Sequence, residues 1–144
     1  LQAPTELTTL VELAEQLDEV VGSLSSESIV RYVELNDAYH EELVELAKSP
    51  TLARAIAHVG VLPFASPGAL LSSQAVLPRS REILAVAQHH HRVLIDAIRA
   101  GHGTRAEEIG REHARLAALN LELVLENHDA LSQLQGAPLL RRVV

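Results

Sequence analysis

Apolar residues return every three or four positions over most of this chain, and that rhythm predicts helices rather than strands. Between Thr5 and Val21, the residues Leu7, Leu10, Ala14, Leu17 and Val21 share one face, with Glu and Gln opposite. Pro4 suits the first turn of that helix and Gly22 its stop. A second helix is predicted from Glu27 to Lys48, with an inward stripe of Ile29, Val33, Asn36, His40, Leu43 and Ala47. Ser49-Pro50 ends it, because the residue before proline disfavours helical geometry. A short helix follows from Thr51 to Val61. Phe64 to Pro78 reads either as one or two helical turns over Gly68 to Ala75 or as a loop covering a pocket. Arg79 to Ala100 carries two neighbouring stripes. One is Leu84, Ala87, His91, Leu94 and Ile98; the other is Ile83, Val86, His90, Val93 and Ala97. Gly101 and Gly103 make the next turn. Thr104 is read as the N-cap of the last long helix, with Glu107 completing a capping box. Its stripe is Ile109, His113, Leu116, Asn120 and Leu123, and it fades near Asn127. Leu131 to Val144 reads as a short final helix and a tail. The fold class is all-α.

Composition narrows this picture. A chain of 144 residues that is 47% hydrophobic forms one domain, 1–144, with a real core rather than a disordered segment. No apolar run approaches the ~20 residues that span a bilayer, and no signal peptide is visible. There are no cysteines, which excludes disulfides and thiolate metal sites and fits a cytoplasmic protein. A net charge of -7 without a basic stripe makes a poor nucleic-acid binder. The chain opens at Leu1 near a helix start, and it is read as a fragment or a processed chain.

The chemistry lies in the histidines, of which there are eight. Asn36 and His40 interrupt one apolar stripe, four residues apart and one turn above each other. Burying such groups costs free energy unless each finds a partner. His113 and Asn120 interrupt the stripe of the last helix, and either His90 or His91 interrupts that of the helix before it; His89 falls with Glu82, Arg92 and Asp96 on the polar side. Neutral imidazole is the commonest protein ligand for zinc and similar ions. Three imidazoles and a weaker oxygen leave coordination positions for water or a carboxylate. Asn36 is the weak member of the set; Asp37 points about 100° away and is read as solvated or as supporting the site from outside. The bland alternative is a metal-free helical module whose histidines are ordinary core residues.

These residues resemble the effector-binding domain of the FadR-type (FCD) branch of GntR transcription regulators. LNDAYHEELVELAKSPTL is similar to the family's N/D-x-x-F-H-x-x-L motif, with Asn36, Tyr39, His40 and Leu43 in place. HRVLIDAIRAGH is similar to its E-H-x-x-I-x-x-A-I-x-x-G-D block, with His91, Leu94, Ala97, Ile98 and Gly101 matching. His90 stands where Glu is usual and His102 where Asp is usual. REH at 111–113 matches the family's last histidine. The resemblance covers Thr5 to Asn127. It implies an antiparallel bundle of about six helices with a central metal and ligand pocket. It further implies a divalent ion held by Asn36, His40, His91 and His113, which settles the choice between His90 and His91. Asn36 replaces the commoner Asp, which lowers the expected metal affinity. Zinc is the first expectation, with nickel or manganese as alternatives. The resemblance also implies a small organic acid as effector, a homodimeric parent protein, and DNA binding through a winged-helix domain that should precede these residues.

Arg79 and Arg81, and Asn120, are the expected ligand-binding residues: the arginines would pair with a second carboxylate or a hydroxyl and the amide would hydrogen-bond the effector. Acid is expected to release the ion as the histidines protonate, near their ordinary pKa of about 6.5. The rival is a metal-dependent helical-bundle enzyme, a hydrolase or thiol transferase. Such an enzyme needs a base near metal-bound water, and the inward stripes offer no unassigned carboxylate.

Overall fold

The computed structural model describes residues 7–23, 25, 28–62, 79–127 and 129. They form five helices: α1 (Thr8–Gly22), α2 (Ser28–Leu46), α3 (Pro50–Gly60), α4 (Ser80–Arg99) and α5 (Gly103–Glu126). Pro4, the turns expected within Gly68 to Ala75, and the final helix expected from Leu131 lie outside the described residues. So does the side chain of Arg81. None of the described helices is long and apolar enough to cross a membrane.

The core forms where three amphipathic faces meet. Leu10, Ala14 and Leu17 come from α1 and Leu7 from its N-cap, and Leu84 and Ile95 come from α4. The α2 contribution is Ile29, Tyr32, Leu35 and Tyr39. This corrects the predicted α2 stripe. Val33 and Leu43 are only partly buried, and Ala47 is exposed beyond the helix end. The cause is that α2 carries apolar residues over a wide arc, and two tyrosines there take the inward places ahead of the smaller aliphatics. Each aromatic ring removes more apolar surface from water than a valine does. Asn36 and His40 keep their inward places beside this stripe, since both lie within a turn of Tyr39.

Local chemistry sets the helix ends. Ser49 caps α3 by accepting from the Leu52 amide, and Pro50 occupies the first turn. After α4, Gly101 adopts φ 71°, the left-handed conformation that glycine tolerates. The His102 amide then donates to the Ala97 carbonyl and the Gly101 amide to the Ile98 carbonyl, a Schellman ending. This reverses the chain within three residues and lays α5 back along α4. The expected cap at Thr104 is not found: the N-cap is His102, without a side-chain cap bond, and Gly103 already belongs to the helix. The tight reversal starts α5 before Thr104 is reached.

The Arg92–Asp18 ion pair joins α4 to α1 at the surface. Nearby, a cleft of about 270 Å³ is lined by Val11, Ala14, Glu15, Arg92, Ile95, Asp96 and Arg99. None of the inward histidines lines it, so it is not the central pocket expected from the sequence.

Candidate metal centre

Three helices each deliver one imidazole to the same place. His40 comes from α2, His91 from α4 and His113 from α5. One ring nitrogen from each lies within 4.8 Å of the other two. Two nitrogens bound to one zinc at about 2.1 Å can be at most about 4.2 Å apart. Small rotamer adjustments would let all three reach one ion. The ring centroids are 5.3 Å apart for His40 and His91, 5.3 Å for His40 and His113, and 4.6 Å for His91 and His113.

Burial separates the histidine run. His91 is 1% exposed, His90 is half-buried and His89 is exposed. The helix period explains this order, since each step along α4 turns the side chain by about 100°. His90 remains close, with its ring 5.9 Å from that of His113.

The cluster is uncharged at neutral pH. Burial pushes the His40 imidazole down to about 4. Burial also pushes His113 down to about 4, helped by repulsion from His40 and His90. His91 is depressed furthest, by burial first and then by His113, His40 and His90. Protonation of these imidazoles thus moves below the ordinary histidine range. A neutral imidazole carries one N–H and one lone pair, and a nitrogen presenting its lone pair can bind a cation. His91 Nε2 and His113 Nδ1 are buried and have no hydrogen-bond partner among the described residues. Buried polar atoms without partners are uncommon and costly. A cation shared by these nitrogens would satisfy them, so the donor set fits a divalent metal.

Around the imidazoles sit groups that sequence reasoning did not assign to the site. Tyr39 stacks on His91, and its hydroxyl donates to the His91 carbonyl. Gln88 is 3% exposed; its Oε1 lies 3.0 Å from His91 Nδ1, and its Nε2 donates to the Ala14 carbonyl at 2.6 Å. The signal for Gln88 was a glutamine three residues before His91, interrupting the apolar face Leu84, His91 and Ile95.

The remaining expected site residues fall in different places. Asn36 is 4% exposed and lies one turn before His40. Asp37 is partly buried, and its pKa is raised by burial and by Glu41, with the neighbouring Asn36 side chain opposing. Asn120 is buried, with its Oδ1 lacking a partner among the described residues. Arg79 is exposed and paired with Glu82 at 2.9 Å. It stands twelve residue steps before His91, about 18 Å along the helix axis.

Among the described residues, the three-histidine group includes no carboxylate that could serve as a base. Glu82 and Glu112 lie on outer faces, paired with Arg79 and Arg115.

Comparison with known proteins carries the same direction. No curated protein matches the chain. The family model for the FCD domain matches residues 2–116, most of the chain. Such domains are regulatory rather than enzymatic. With three helices converging on one histidine cluster and this match over residues 2–116, the chain belongs to the FCD domain family, the C-terminal effector-binding domains of GntR-family regulators.

Proposed function

We propose that this chain is the sensing part of a bacterial GntR-type transcription regulator that binds a divalent ion and, beside it, a small carboxylate effector. Asn36, His40, His91 and His113 would hold the ion, with zinc favoured by the nitrogen-rich donor set. The observation that carries this reading is the pair of buried ring nitrogens, His91 Nε2 and His113 Nδ1, without partners inside a three-imidazole cluster.

A bound ion would supply positive charge where a carboxylate could replace water. The chain's own residues do the rest. Burial keeps the imidazoles neutral and available. Asn120 would offer its amide to the effector. Arg79, about 18 Å along α4 from His91 and paired with Glu82, stands too far away to reach a small carboxylate beside the ion, so the expected guanidinium contact is not carried over to it. Because the ligands come from α2, α4 and α5, occupancy favours one mutual arrangement of three helices. Its leverage on the parent regulator is limited to the difference in affinity between the two states. In this reading a winged-helix domain of the parent protein contacts DNA, the parent is a homodimer, and it works in the cytoplasm.

Metal analysis tests the proposal. Protein purified without a histidine tag and loaded with zinc should hold one ion per chain, and His91→Ala should lose it. Stoichiometric zinc on His91→Ala would refute this centre.

A further inference from the structure

Gln88 occupies a constrained position between the histidine cluster and α1. It lies one turn before His91 on α4 and is almost fully buried. Its amide is not free to turn over. The Ala14 carbonyl can only accept a hydrogen bond, and it sits 2.6 Å from Gln88 Nε2. Reversing the amide would set two acceptor oxygens against each other at that distance. The NH2 end therefore faces Ala14, and Oε1 faces His91.

That orientation has a consequence for His91. Oε1 can only accept, and it lies 3.0 Å from His91 Nδ1. A neutral imidazole has one N–H, so the hydrogen must be on Nδ1. Nε2 then keeps its lone pair, and Nε2 is the buried atom without a partner among the described residues. A carbonyl on one helix thus decides which nitrogen of a histidine on another helix can act as a ligand.

We propose that Gln88 is a positioning residue that holds His91 as the Nδ1–H tautomer, presents Nε2 to the cluster, and ties the site to α1 through Ala14. The consequence for metal binding rests on the proposed function; the tautomer does not. Partners that fix the tautomer of a ligating histidine typically change metal affinity by roughly 10- to 100-fold when removed.

The test is nitrogen-15 NMR of the histidine rings in metal-free protein, with the His91 signals assigned by their loss in His91→Asn. Wild type should show His91 with its proton on Nδ1. Gln88→Leu should lose that preference and bind zinc roughly 10- to 100-fold more weakly. Gln88→Glu, whose buried carboxyl can donate its proton to the Ala14 carbonyl and accept from Nδ1–H with its other oxygen, should keep the tautomer and most of the zinc affinity. A wild-type His91 protonated on Nε2 would overturn the proposal even if no variant folds. So would an unchanged tautomer in Gln88→Leu. A wild-type Nδ1–H tautomer without zinc binding would leave Gln88's role standing and remove the metal reading instead.

Discussion

Tyr39 and His91 meet face to face across α2 and α4, with ring centroids 4.1 Å apart and planes 29° from parallel. The Tyr39 hydroxyl reaches past the ring to the backbone carbonyl of His91 at 3.0 Å. One side chain thus packs the imidazole and anchors the helix that carries it. Tyr39→Phe keeps the stack and loses the hydrogen bond, so it should cost about 1 kcal/mol in urea unfolding. Tyr39→Ala leaves a cavity beside His91 and should cost about 3–5 kcal/mol, with weaker zinc binding. A Tyr39→Ala protein as stable as wild type would show that this contact does not hold the two helices together.

The histidine run should divide by burial. Zinc titration is expected to show near wild-type affinity for His89→Ala, whose side chain is exposed. His40→Ala and His113→Ala should each lose most of the affinity, as one of three clustered imidazoles is removed. Equal losses at His89 and His113 would mean that zinc sits on the surface run instead.

Metal-free protein should weaken in mild acid. His40 and His113 have folded pKa values near 4, below the unfolded value of about 6.5. Between those limits the unfolded chain binds protons that the folded chain refuses, so stability rises with pH. It should therefore fall from pH 6.5 to pH 4 by a few kcal/mol, because a pKa difference of one corresponds to ~1.4 kcal/mol. Chemical denaturation across this range measures it. Added zinc should stabilise the protein at pH 7 and lose that effect in acid, as protons compete for the same nitrogens.

Asn36→Asp should have opposite effects on the two states. A carboxylate is a stronger ligand than an amide oxygen, so zinc affinity should rise by roughly tenfold, about 1.4 kcal/mol. Without zinc the new charge lies next to Asp37, whose carboxyl is already raised by burial and Glu41, so the metal-free protein should lose stability. Calorimetric titration and thermal melts with and without EDTA separate the two effects. Unchanged zinc affinity would place residue 36 outside the coordination sphere.

Gly110 sits inside α5, and a Cβ there would meet nothing within 4 Å. Gly110→Ala should stabilise the protein by about 0.5–1 kcal/mol, mainly by restricting the unfolded chain. A destabilised variant would indicate that another surface packs against this face.

The sequence by itself determined the helices and the inward histidines. Both follow from interactions within one or two turns: apolar spacing marks a helix face, and a histidine in that spacing shares the face. The same locality made His40 and His113 legible as inward candidates, while choosing His91 over His90 needed the family motif. Only the tertiary structure decided that α2 faces the core with Tyr32, Leu35 and Tyr39, because its apolar arc is wide enough to permit several rotations and the packing of α1 and α4 selects one. The role of Gln88 was hidden for a related reason. Its amide is oriented by a carbonyl 74 residues earlier, and no pattern within α4 encodes that meeting. Local periodicity can say which side chains turn inward; what each one touches depends on how distant helices share one buried volume.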